Sequence, residues 1–153
     1  MTSGDDIQVV IFRTGTQEFA LEISQVERIL RYQRPAALPN APDFLEGVIQ
    51  YGDGVAPVVD LRKRLGLDAP VLEDTRLMVV MVDGQRVGML VDQVREVARI
   101  DSRAIAAPPP MVRGLAAKYI AGVLTIGERT IVLLHTGRLF STKERLKLEE
   151  AVA

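Results

Sequence analysis

The sequence predicts a mostly β protein built from two small, barrel-like units of similar topology, and three observations carry that expectation. Of the 153 residues, 48% are hydrophobic but only 5% aromatic. The interior must therefore be made of Val, Leu, Ile and Ala, a bias toward strands. Short apolar runs are punctuated by turn residues at Thr14-Gly15-Thr16, Gly52-Asp53-Gly54, Asp83-Gly84-Gln85 and Gly127-Glu128. The chain also repeats itself. Phe19-Ala20-Leu21-Glu22-Ile23-Ser24-Gln25-Val26 lies over Val87-Gly88-Met89-Leu90-Val91-Asp92-Gln93-Val94 at an offset of 68, and Gly47-Val48 over Gly122-Val123 at an offset of 75. Val58-Val59-Asp60 falls on Leu133-Leu134-His135 at the same larger offset, and the extra residues fit near Pro108–Pro110. Matched order and spacing imply a duplicated β unit.

The elements follow in order. Residues 1–6 are polar and acidic, a disordered leader without the apolar stretch of a signal peptide. Ile7 to Phe12 reads as a strand, and Phe19 to Ile23 as its hairpin partner. Ser24 to Leu30 is open between a helical turn and a strand, because Val26, Ile29 and Leu30 also fit helical spacing. Pro35, Pro39 and Pro42 mark an extended connection. From Gly47 the pattern is strand, Gly-Asp-Gly reversal with positive φ at Gly52 and Gly54, second strand and short helix. Pro57 belongs at an edge or a bulge. Asp60 is placed to cap the helix from Leu61, and Gly66 to end it. Asp68 to Thr75 is a loop, Leu77 to Val82 and Val87 to Val91 form a hairpin, and Val94 to Ile100 is a half-buried strand. Pro108-Pro109-Pro110 is a rigid linker. Tyr119 to Leu124 and Thr130 to Leu134 are the last strands. Ser141 and Glu144 carry capping-box spacing for a helix through about Glu150. Residues 7–140 thus make one domain of two units, with 141–153 a helix and tail.

Composition excludes several functions. A formal net charge of −1 provides no global field toward nucleic acid or anionic membrane. Arg62-Lys63-Arg64 reads either as a phosphate patch or as a solvated helix face. The absence of cysteine removes disulfides, thiolate zinc sites and thiol nucleophiles, and suits a cytoplasmic chain. No apolar run approaches the roughly 18 residues that span a bilayer, so no direct membrane insertion is expected. His135 is the only histidine, which makes a poor metal site. Its repeat counterpart is Asp60, so a shared capping role is expected, with Thr136 a second candidate cap. The serines lie in no nucleophile elbow, and Gly52-Asp53-Gly54 lacks the context of a phosphate loop. No catalytic residue, metal site or cofactor is expected; binding to proteins is.

Gly47-Val48, Pro57-Val58 and Asp60-Leu61-Arg62, preceded by Leu38-Pro39-Asn40-Ala41-Pro42 and Phe44, resemble the signature of the CheW family of bacterial chemotaxis adaptors. The likeness runs from about Gln8 to Phe140 and includes Val87-Gly88-Met89-Leu90-Val91-Asp92 and Tyr119-Ile120-Ala121-Gly122-Val123. The turn departs from it: the family's Asn-Leu-Arg-Gly stands as Gln50-Tyr51-Gly52-Asp53. The resemblance implies two SH3-like five-stranded β-barrels side by side, with a groove between them. It also implies two partners: the regulatory domain of a CheA-type histidine kinase, itself CheW-like, and the cytoplasmic tip of a chemoreceptor. Carried over by position, Val26, Gly47, Leu77 and Val97 line the receptor groove. The motif arginine is Gly52 here, and Arg28 stands where the family frequently has an acid. Two readings of that double change stay open: a swapped Arg28–Asp53 ion pair, or a lost one. Tyr51 reads as an aromatic interface anchor or as a partly buried strand residue. A non-chemotactic array adaptor and a small-molecule-binding regulatory domain are the competing functions.

Overall fold

The computed structural model describes residues 6–65, 70–107 and 119–152. Along them run β1 (Asp6–Thr14), β2 (Gln17–Glu22), β3 (Val26–Arg31), β4 (Leu45–Tyr51), β5 (Gly54–Asp60) and α1 (Leu61–Arg64). The second half contributes β6 (Arg76–Val82), β7 (Gln85–Val91), β8 (Gln93–Asp101), β9 (Ile120–Ile126), β10 (Arg129–Leu134), α2 (Thr136–Leu139) and α3 (Thr142–Val152). Most of the expected leader, Gly66 and the Pro108–Pro110 linker lie outside the described residues, while Asp6 opens β1. Ser24 to Leu30 takes both forms left open for it: one 3-10 turn over Ile23–Gln25, then β3.

Turn chemistry explains the hairpins. Asp83 and Gly84 both have positive φ (51° and 76°), as the tight β6–β7 reversal requires. In the β4–β5 loop only Gly52 does (58°), and Gly54 is instead the first residue of β5, paired with Tyr51. That is the two-residue loop in which the first central position alone is left-handed, so the expected second positive φ is not needed. Pro57 sits at neither an edge nor a bulge. β5 lies inside its sheet, and Pro57 faces Val48, whose own N–H and C=O bond Ala36. The ladder to β7 opens one residue later, at Val58.

The strands form two five-stranded sheets, β8-β1-β2-β10-β9 and β3-β6-β7-β5-β4. Shifting β1 and β2 forward by 68, β8 back by 68, and β9 and β10 back by 75 turns the first order into the second, so the duplication is real at the level of register: Val97 faces Val10 as Ile29 faces Met78. The sequence repeat is not the folding unit, however. Each sheet takes two strands from one half and three from the other, because the chain changes sheet between β2 and β3 and again between β7 and β8.

Both faces of β1 and β6 are buried, which is why they read as continuous apolar runs. Val9 and Ile11 point into a small core with Ala20, Leu124, Ile131 and Leu133. Leu77 points into its counterpart with Ile49, Ala56, Val58 and Leu90. The alternate residues Val10, Phe12, Met78 and Val80 meet in a larger core shared by the two sheets, closed by Leu148 of α3.

The helices are fixed by caps and ions. Asp60 caps α1 by accepting from Arg62 N at 3.0 Å, and His135 caps α2 by accepting from Gly137 N at 3.0 Å through Nδ1. Thr136 is the first residue of α2 and not its cap. Ser141 and Glu144 exchange both capping-box bonds, at 3.0 and 3.1 Å. Arg64 pairs bidentately with Glu144 and lies 5.2–5.9 Å from the ring centres of Phe44, Tyr119 and Phe140.

Burial pushes the Glu144 carboxyl up, but the Arg64 guanidinium and the Ser141 bonds hold it below its ordinary 4.5. The contribution of this pair to the docking of α3 is therefore fully present above pH 4.5 and is lost as pH falls through the lower folded value, while Leu148 still anchors the helix in the core. A Glu144→Gln variant is expected to melt lower than the parent at neutral pH, with the difference shrinking as pH falls below 4.5. Thermal melts across that range check it.

Candidate protein-docking site

β3, the β4–β5 turn and the start of β7 converge on a concavity of about 780 Å³, with Val152 of α3 on one wall. A register shift in β3 between Val26 and Arg28 lets the neighbours Glu27 and Arg28 share its lining, with Tyr51, Asp53 and Arg86. Tyr51 donates its hydroxyl to Glu27 Oε2 at 2.6 Å, and Arg86 Nε donates to both Glu27 oxygens at 2.7 and 2.9 Å. The Arg86 guanidinium first, and then the tyrosine hydroxyl, hold the Glu27 carboxyl below its usual range. Glu27 in turn pushes the Tyr51 phenol up, so it remains a donor. The Arg28 guanidinium lies 6.0 Å from the centre of the Tyr51 ring. Glu27 is engaged directly by Arg86 and Tyr51 and feels the Arg28 charge only at longer range, while Arg28 itself is exposed and forms no ion pair among the described residues. An aromatic floor with charged rims suits recognition of another protein.

Of the residues singled out from sequence, Arg28, Tyr51, Gly52 and Asp53 share this concavity. The swapped ion pair does not form: Arg28 lies across the Tyr51 ring while Asp53 stays on the exposed turn. Tyr51 is half-buried at the end of β4. Val26 is half-buried at the start of β3, packed on the shared core. Gly47 is buried in β4 with φ at 148°, where an added Cβ would meet Ala36 O at 2.3 Å. Val97 belongs to the other sheet, 51% exposed on β8.

Leu77 is corrected outright: it is 0% exposed inside the small core of its sheet and has no groove face. Leu77→Ala is expected to cost about 2–5 kcal/mol of stability by leaving a cavity. Partner affinity per folded molecule should stay unchanged, as urea melts and titrations would show.

Glu27 and Arg86 were missed, being 59 residues apart and joined only by folding. The repeat carries their signal: it maps them onto Arg95 and Glu18, which also pair, at 3.2 Å. The basic run of α1 is not one patch: only Lys63 is exposed to solvent, and each of the three side chains has its own acidic partner. Arg62 is buried on Asp60 and Asp92, Lys63 bonds Glu46 at 2.9 Å, and Arg64 is enclosed by aromatic rings and Glu144.

Comparison with known proteins agrees with this architecture. The family model for the CheW-like domain matches residues 8–144. The chain is 30% identical over 138 residues to "Chemotaxis protein CheW" of Klebsiella aerogenes, covering 90% of this chain and 83% of that one. It is 32% identical over 140 residues to "Chemotaxis protein CheW" of Rhizobium meliloti, covering 90% of each. In the crystal structure of the scaffolding protein TtCheW from Thermoanaerobacter tengcongensis, a chain of 29% identity superposes with a TM-score of 0.82, over 89% of this chain and 93% of that one. The doubled five-stranded architecture, the Asp60-capped motif and a family match spanning nearly all of the described fold lead to one assignment: the chain belongs to the CheW-like domain family.

Proposed function

We propose that this protein is a non-catalytic adaptor. It joins the regulatory domain of a CheA-type histidine kinase to the cytoplasmic tip of a chemoreceptor, in the cytoplasm at receptor arrays. The observation that carries the reading is the convergence of the family's motif turn with β3 on one solvent-exposed concavity rimmed by Glu27, Arg28, Asp53 and Arg86. The polar groups there are engaged in holding a surface: Glu27 orients Arg86 and Tyr51, and Tyr51 supports Arg28. Tyr51 is the aromatic anchor of that surface. Among the described residues no helix is long and apolar enough to cross a membrane, so attachment to an array would run through the receptor. Calorimetric titration with the kinase regulatory domain from the same organism tests the proposal. Micromolar or tighter binding is expected; no heat of binding at several hundred micromolar would contradict it.

A further inference from the structure

The two halves of the molecule build the same charged corner, and only one half closes it. At one end Arg129 reaches Glu18 at 2.7 Å and Glu96 at 2.9 Å, while Arg95 reaches Glu18 at 3.2 Å. Two cations and two anions satisfy each other there. The repeat carries Glu18 to Arg86, Arg95 to Glu27 and Glu96 to Arg28, so all three charges are reversed in sign. Register confirms the equivalence: Glu96 faces Ile11 as Arg28 faces Val79, and Arg129 faces Ile126 as Gly54 faces Tyr51.

The reversed corner keeps the Glu27–Arg86 pair, the mirror of Arg95–Glu18. Its fourth position, held by Arg129 at the other end, is Gly54, which has no side chain. Arg28 consequently has no carboxylate where Glu96 has a guanidinium, and it rests on the Tyr51 ring instead. The space beside Gly54 is open: a Cβ built there would meet nothing within 4 Å. Asp53 is the other carboxylate on this lining and forms no ion pair with Arg28, so the corner keeps room for a negative charge that arrives from outside.

We infer that a carboxylate of the docked receptor tip, an Asp or Glu on the face of its helix, lies over Gly54 and pairs with Arg28. This rests on the adaptor reading above and specifies the chemistry of its receptor surface. The partner's acidic residue plays the part that Arg129, with opposite sign, plays within the chain. Charge of that kind selects a partner and excludes one that presents a basic residue at the same place.

The test uses the full chain, the cytoplasmic fragment of a chemoreceptor from the same organism, and the kinase regulatory domain as reference ligand. Gly54→Glu supplies the missing carboxylate internally, and Gly54→Gln supplies the same bulk without charge. The glutamate variant is expected to bind the receptor fragment at least about tenfold more weakly than the glutamine variant, with kinase affinity equal in both. Arg28→Glu is expected to weaken receptor binding about ten- to hundredfold, with recovery when one tip carboxylate of the fragment is changed to lysine. Equal receptor binding by both Gly54 variants, or an Arg28→Glu variant that binds as the parent does, overturns the inference and leaves the adaptor reading standing. Loss of kinase binding in Gly54→Glu would overturn it by assigning the corner to the kinase. A parent protein that binds the kinase domain and no receptor fragment would overturn both the inference and the receptor half of the function.

Discussion

Arg62→Ala is expected to cost about 3–5 kcal/mol of folding stability, because it strips the shared cation from two carboxylates. The Arg62 side chain is only 4% exposed. Its Nε and Nη2 bond the two Asp60 oxygens at 2.9 and 3.0 Å, and its Nη1 bonds Asp92 Oδ1 at 3.3 Å and Pro70 O at 2.9 Å. Hydrogen bonding to Asp60 first, and then its charge, raises the affinity of the guanidinium for its proton against the opposing effect of burial. Asp92 stands where the chain passes from β7 to β8, and therefore from one sheet to the other. It also accepts from Gly15 N at 2.8 Å, which ties in the β1–β2 turn. Removing Arg62 would leave negative charge at the crossover, beside the start of α1. Urea unfolding measures the loss; a change below about 1 kcal/mol would mean that the network is dispensable.

Gly47→Ala is expected to cost of order 3 kcal/mol, from overpacking and backbone strain that each contribute about 1–3 kcal/mol. The backbone at Gly47 has φ 148°, and the new Cβ would fall 2.3 Å from Ala36 O and 2.8 Å from Ala36 C. Backbone atoms cannot swing aside as a side chain would. The bridge between Ala36 and Val48, with its bonds of 2.8 and 3.0 Å, would have to open. Repeat geometry sharpens the expectation, since Gly122 lies beside the equivalent bridge of Ala106 and Val123. The glycine thus acts through the fold, and weakened partner binding by the variant should track its unfolded fraction in a thermal melt.

Local features of this fold were legible in the sequence because local chemistry determines them. Asp83-Gly84 makes its reversal, Asp60 and His135 cap their helices, and Ser141 with Glu144 forms the capping box at the position that spacing indicated. The exchange of strands between halves was not legible. Repeats show which segments are alike, and pairing β2 with β10 or β5 with β7 depends on contacts far apart in the chain. Leu77 illustrates a related blindness. With both faces of β6 buried, its apolar run carries no alternation to say which core each residue enters.

In the site, Arg28, Tyr51, Gly52 and Asp53 were found through their place in the motif. Their partners were not, since Tyr51 to Glu27 and Arg86 to Glu27 are bonds made across the sheet. Arg62-Lys63-Arg64 looks like one patch on paper. A helix turns about 100° per residue, so the three side chains leave in different directions and find three different partners.

The central claim is that this protein physically joins kinase to receptor. Co-sedimentation on vesicles bearing the organism's chemoreceptor tests it most directly, with the kinase present and this protein added or withheld. The account predicts that kinase pellets with the vesicles in proportion to added protein, and that Arg28→Glu abolishes most of that recruitment while still binding kinase in solution. Kinase that pellets equally with and without the protein would contradict it.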